Sequence, residues 1–262
     1  MPRRFAREIP DVVELMETVD ETLSEEDGLW WFNLLYCMVT KEIYEDCRRK
    51  KWLAPEWLTH LDVEFAKLYF NAIVQWIEAP ETCPRAWTSL FKRRFIKSVS
   101  PVQFGLAGMN AHINRDLPVA VVRACQRMKC VPKRGTAEEI DFQRINKILD
   151  EVEIQKKKKM ATGWIRAVSN RVQPIDRKFA MAIVSWARDL AWTHAEIYAD
   201  FLGKGEEKNA KQFIDRLDRR TEKVGRALLV PTEWSPRRNQ GIRRLTLTKS
   251  LKKDFPTRKT EA

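Results

Sequence analysis

In the segment that opens at Pro55, apolar side chains recur every three or four residues: Leu58, Phe65, Ala66, Tyr69, Ile73 and Trp76. That period belongs to an α-helix with one face turned to a core. Asp62 falls on the same stripe. Pro55 suits the first turn of this helix, and Pro80 and Pro84 close it.

The same period recurs along most of the chain. Pro10–Leu23 reads as a first helix, and Asp27-Gly28 as a turn. Leu29–Lys50 spaces Trp30, Trp31, Leu34, Leu35, Met38 and Val39 for a second buried face. Arg85–Ile96 is a short basic amphipathic helix. An apolar stretch then runs from Ser100-Pro101 to about Met128, and Pro118 within it predicts a break or kink near Asn114. Gly105 and Gly108 lie on roughly one face, which predicts that another backbone packs close there. Thr136–Glu139 forms a capping box for a helix through Ile140, Ile145 and Val152. A short helix is expected over Thr162–Val172. A long one over Ile175–Leu202 would turn Trp186, Ala187, Leu190, His194, Ile197 and Tyr198 inward. Gly203 and Gly205 stop it, and Glu206–Leu229 is the last helix. No alternating strand run and no hairpin turn pair occurs. The expected fold class is all-α, a single orthogonal or up-down bundle of about eight helices over residues 1–233.

Residues 234–262 are expected to form a basic, loosely ordered arm. They hold nine Lys/Arg against two Asp/Glu, a net +7 out of +12 for the whole chain. Basicity is therefore mainly a property of the tail. With Phe255 the one aromatic interleaved among these bases, nucleic acid is not the expected partner. Five cysteines with no paired-motif spacing suggest reduced thiols and a cytoplasmic protein. The N-terminus has no apolar signal region, and no run is long enough to span a membrane.

Chemistry concentrates in Gly105–Ala120, GLAGMNAHINRDLPVA. On a helix His112 and Asp116 stand four apart on one face, where two side chains can grip one ion or one substrate group. Asp62, the His112/Asp116 pair and His194 all occupy positions that should face the core. A buried ionisable group is costly unless it is paired or ligates a metal. Together they form a candidate site for Zn or Fe, with Asp62, His112, Asp116 and His194 as ligands. Asp62, His112 and Asp116 are the candidate catalytic groups. Asn110 and Arg115 are the candidate substrate-binding groups, Asn110 lining a kinked pocket and Arg115 facing an anion. Each also has a purely structural reading, as a satisfied core group or an ordinary ion pair. No phosphate loop, G-x-S-x-G or H-E-x-x-H motif is present.

Four segments carry a resemblance to a known family: GMNAHINRDLP (Gly108–Pro118), LDVEFAKLYFNA (Leu61–Ala72), DGLWWFNLLY (Asp27–Tyr36) and GRALLVPT (Gly225–Thr232). In these the chain resembles the domain of unknown function 5995 family, from about residue 27 to 232. The resemblance implies a helical domain and no settled activity. Separately, His112-x-x-x-Asp116-x-Pro118 is similar to the H-x-x-x-D segment of the zinc-dependent phospholipase C and single-strand nuclease group. That group is helical too, and it binds three zinc ions with many histidines and an N-terminal Trp. With three histidines and a Met-Pro start, this chain could hold one or two metals at most.

Two main functional expectations follow. One is a helical enzyme with a buried His/Asp site, hydrolysing a small-molecule substrate with metal assistance. The other is a metal-free helical pocket that binds or cyclises an apolar small molecule by Asp/His acid–base chemistry. A third, binding of acidic partners through the basic tail, belongs to a non-enzymatic class. Oligomeric state is not legible.

Overall fold

The computed structural model describes residues 8–49, 51–156 and 177–231. Among them are nine α-helices and no strand: α1 (Ile9–Thr22), α2 (Gly28–Arg49), α3 (Pro55–Glu78), α4 (Arg85–Arg93), α5 (Pro101–Ala111), α6 (Leu117–Met128), α7 (Ala137–Lys156), α8 (Arg177–Gly203) and α9 (Glu207–Leu228). A single 3-10 turn, Pro80–Thr82, follows α3. The expected all-α bundle is what forms. No described helix is long and apolar enough to cross a membrane. The expected helix over Thr162–Val172 and the basic arm from 234 lie outside the described residues, as do the chain's first seven.

Two hydrophobic clusters share α3. The first gathers α1, α2, α4, α5 and much of α3 around Phe32, Tyr69, Trp87 and Leu90. The second gathers the start of α3 with α6, α7 and α8 around Trp57, Leu117, Phe142 and Trp192. Phe65, midway along α3, packs against both. The stripe from Leu58 to Trp76 is buried or half-buried as its spacing requires, but burial extends well around α3, taking in Leu61, Leu68, Phe70 and Val74.

α5 and α6 are one rod joined by a π-helical turn, His112–Asp116, where the Leu117 N–H donates to the His112 carbonyl. This turn is the break expected near Asn114. Pro118 has no N–H to offer the Asn114 carbonyl, and its ring crowds that oxygen. Widening the ladder for one turn absorbs the conflict. The rod begins at a capping box of Ser100 and Gln103. The Gln103 amide then donates to the carbonyls of Leu228 and Val230 at 2.9 and 2.8 Å, fixing the end of α9.

Two helices take their N-terminal caps from distant carboxylates. Asp141 accepts from the backbone N–H of Leu53 and Ala54, both at 2.7 Å, ahead of α3. Asp218 does the same for Arg85 and Ala86 at the start of α4, at 2.9 and 3.0 Å. Negative charge is favourable at these ends because the first N–H groups are unpaired and the helix dipole is positive there. Each Asp thus welds α7 to α3 or α9 to α4.

Three expectations need correction. α2 buries Leu29, Phe32, Asn33, Tyr36, Cys37 and Thr40, whereas Leu34, Leu35, Met38 and Val39 are only half-buried. Its inner face is therefore rotated by about one residue, because two polar side chains find partners or space in the core. Asn33 donates to the Met16 carbonyl and to Asp20, and accepts from the Tyr69 hydroxyl. α8 is rotated likewise: Ala187, Arg188, Ala191, Trp192 and Ala195 face in, while Trp186 is 66% exposed. Small alanines let α8 close on α6, so small residues rather than large ones mark its packed side. Finally, a Cβ on Gly108 would stand 2.3 Å from the Phe32 ring, but one on Gly105 would meet nothing nearer than 3.9 Å. One close approach exists, and a side chain makes it.

Candidate functional site

The π turn sets His112 and Asp116 side by side at the meeting of the two cores. Asp116 is fully buried and His112 is 2% exposed. Asp116 is held by three groups. Its Oδ2 accepts from Trp87 Nε1 at 2.8 Å and lies 3.2 Å from His112 Nδ1. Its Oδ1 accepts from Arg115 at 2.7 Å. Burial alone would raise the Asp116 pKa, but the Arg115 charge and the His112 hydrogen bond outweigh it and hold the carboxyl below its ordinary value. Asp116 is therefore ionised, and an ionised carboxylate only accepts. That assigns the imidazole hydrogen to Nδ1 and leaves Nε2 as a bare acceptor.

The His112 ring stacks on Phe65, centroids 3.4 Å apart and planes within 6°. Tyr36 meets it edge-on at 4.6 Å, and Phe32, Tyr69 and Trp87 complete the enclosure. Burial lowers the pKa of His112 against the opposing pull of Asp116, so the ring is neutral at physiological pH. Nε2 is buried and has no hydrogen-bond partner.

Asp62, on α3 one turn before Phe65, brings a second orphan to the neighbourhood. It is 9% exposed, and its Oδ2 is buried without a partner. Burial pushes its carboxyl up to about 7. It faces α2, where its charge adds to burial in raising the Tyr36 hydroxyl and the Cys47 thiol. Tyr36 Oη lies beside Thr40, one turn along α2, yet neither hydroxyl makes a hydrogen bond of good geometry. Four buried polar groups are thus left open where α2, α3 and the π turn meet: His112 Nε2, Asp62 Oδ2, Tyr36 Oη and Thr40 Oγ1. Buried polar atoms are nearly always satisfied, so a local concentration of unsatisfied ones points to a missing polar partner.

The other expected residues stand elsewhere. Asn110 ties the rod to α9, donating to the Thr221 carbonyl at 2.9 Å and accepting from Asn114 at 3.1 Å. Arg115 pairs with Asp116, and its Nε lies 3.9 Å from Asp218. Both are occupied inside the fold. His194 faces α9, edge-on to Phe213 at 5.8 Å, and the nearby Arg220 adds to burial in lowering its pKa. Among the described residues, no three His, Cys, Asp or Glu side chains are gathered so as to hold a metal ion. Asp62, His112, Asp116 and His194 therefore do not form the expected Zn or Fe set. Both Asp116 oxygens are also taken by donors, as is His112 Nδ1.

Tyr36, Thr40 and Trp87 were missing from the sequence-based site. Tyr36 stands in DGLWWFNLLY, and Trp87 reads as an ordinary core residue. Only the fold shows what the indole N–H and the two hydroxyls face.

No curated protein matches the chain. No solved structure does either. One family model matches, Family of unknown function (DUF5995), over residues 9–231. That span takes in all nine described helices, the π turn and every residue of the candidate site, and the chain belongs to this family.

Proposed function

We propose that the protein binds an apolar small molecule bearing one polar group and performs metal-free acid–base chemistry on it. His112 is the general base and Asp62 the general acid. The observation that carries this reading is His112 Nε2, enclosed, unpartnered and unprotonated, on a ring whose other nitrogen is fixed by a buried carboxylate. Nε2 removes a proton from the substrate. The imidazolium that forms is stabilised by Asp116, which Trp87 and Arg115 hold in place. Asp62, with its pKa near neutrality, donates a proton at a second substrate position. Proton removal at one atom and delivery at another amounts to isomerisation or cyclisation, with no net redox change. The aromatic rings that pack directly on the imidazole would part to admit the substrate and then wall it. No step of this reading is routed through Zn or Fe, in keeping with the absence of a gathered ligand set among the described residues. Five free cysteines favour a reducing, cytoplasmic setting for this chemistry.

The test is a library of apolar alcohols, ketones and esters, incubated with wild type, His112→Gln and Asp62→Asn. Products are read by mass spectrometry and binding by thermal shift. Wild type should bind a compound and convert it. His112→Gln should still bind but turn over about 10²–10⁴-fold more slowly. If no compound binds, or His112→Gln converts substrate as fast as wild type, the reading is wrong.

A further inference from the structure

Arg188, on α8, is 6% exposed, and burial pulls its pKa down only to about 10, so it is charged at neutral pH. The described groups that hold it are all neutral. Its Nε donates to Asn146 Oδ1 at 2.6 Å and its Nη2 to the Phe142 carbonyl at 3.3 Å. The guanidinium carbon lies over the Phe142 ring, 4.4 Å from the centroid. These bonds use two of the five N–H groups that a guanidinium carries. Among the described residues, Nη1 has no hydrogen-bond partner and no carboxylate pairs with the side chain. Acids stand next to it in sequence but are committed elsewhere. Asp189 serves Arg134 and Gln143, at 2.6 and 3.0 Å. Asp141, beside Phe142, serves Arg144 and the cap of α3. Trp192, one turn further along the same face of α8, packs on the same Phe142 ring at 5.0 Å, and its Nε1 is buried without a partner too. The polar groups left open at this junction of α7 and α8 are therefore donors.

We infer that the junction of α7 and α8 is a binding site for a carboxylate-bearing small molecule, with Arg188 as its anchor. It shares no residue with the buried His/Asp site. A buried charge is costly unless an opposite charge meets it. Arginine cannot shed its proton near neutral pH, as a lysine in such a place would. The missing partner is therefore an anion from outside the chain. Charge selects its kind. One negative charge cancels one positive, whereas a phosphate dianion would bury a net charge of its own. A carboxylate is also flat, and its two oxygens match a pair of N–H groups along one guanidinium edge.

The test is thermal melting and isothermal titration of the full chain with sodium acetate, sodium butyrate and inorganic phosphate, against sodium chloride at equal ionic strength. A carboxylate should raise the wild-type melting temperature saturably, by about 3 °C at tenfold excess over its Kd, and phosphate and chloride should not. R188M puts an apolar chain of similar length in place and should lose the carboxylate response. R188K keeps the charge without the fork, folds even if R188M does not, and should bind at least several-fold more weakly. Absence of any carboxylate response in wild type would overturn the inference. So would an equal response in R188M, or in R188K, which would place the anion elsewhere. A larger shift with phosphate than with either carboxylate, lost in R188M, would give the site to a phosphate-bearing ligand instead.

Discussion

At the scale of single residues, the candidate site separates two carboxylates by their surroundings. Asp116 is buried among donors and stays ionised; Asp62 is buried without them and titrates near neutrality. The linkage sign follows from the direction of the Asp62 shift. Its folded pKa, about 7, lies above the ordinary 3.8, so the native state holds a proton that the unfolded state has released. Stability should therefore decline as pH rises from about 4 to about 7, and level off above, with Asp62 contributing on the order of 4 kcal/mol at most. Asp62→Asn should flatten that slope and raise the melting temperature above pH 7 relative to wild type. Thermal melts across this range check it, and parallel curves for the two proteins would count against a buried, unpaired Asp62. Asp116→Ala acts in the other direction, leaving Arg115 and the Trp87 indole without their acceptor. It should cost about 3–5 kcal/mol in urea unfolding, the usual result of breaking one side of a buried ion pair. How far these residues were legible differs. The four-residue spacing of His112 and Asp116, and the position of Asp62 on an apolar stripe, stand in the sequence. Tyr36 and Thr40 do not, because a hydroxyl on a helix face looks the same whether it meets water or the core.

At the scale of elements, periodicity located the described helices to within a residue or two, except that α4 ends at Arg93 rather than Ile96, and Pro118 marked the irregular turn. It misjudged which side faces in wherever polar or small residues line the packed face, as with Asn33 and Thr40 on α2 and the alanines of α8. The paired glycines make a direct test. Gly108→Ala forces a methyl into the Phe32 ring and should cost about 1–3 kcal/mol. Gly105→Ala has room and gains helix propensity, so it should stabilise by up to about 1 kcal/mol. Chemical denaturation of the two variants distinguishes them. Equal effects would mean that Phe32 yields easily, and that the packing of α2 on α5 is looser than the ring's position implies.

At the scale of the whole molecule, two hydrophobic clusters joined by nothing else would melt separately. Here α3 runs through both, and the rod of α5 and α6 crosses from one to the other at the site itself. Asp141 and Asp218 add links between helices far apart in sequence. Unfolding should therefore be a single transition, with near-ultraviolet and far-ultraviolet circular dichroism curves superimposing. Separated curves would show that the two clusters are independent units. The all-α bundle was legible in the sequence, but these links between its parts were not. The caps of α3 and α4 depend on residues 87 to 133 positions away, and local pattern carries no information about such pairings.

The π turn also bears on how this helix can change over evolutionary time. Such a turn is the trace of one extra residue accommodated in a regular helix. Losing any one residue between Ser100 and Lys129 would shift the register of the rod, with Pro118 still barring an unbroken α-helix. Everything beyond the deletion would rotate by about 100° relative to what precedes it. His112 and Asp116 could then no longer both keep their present neighbours, whatever their identities. A relative that spells the same motif but is one residue shorter in this stretch would therefore lack the site. Counting residues from Ser100 to Lys129 would be a sharper guide to shared chemistry than matching letters within it.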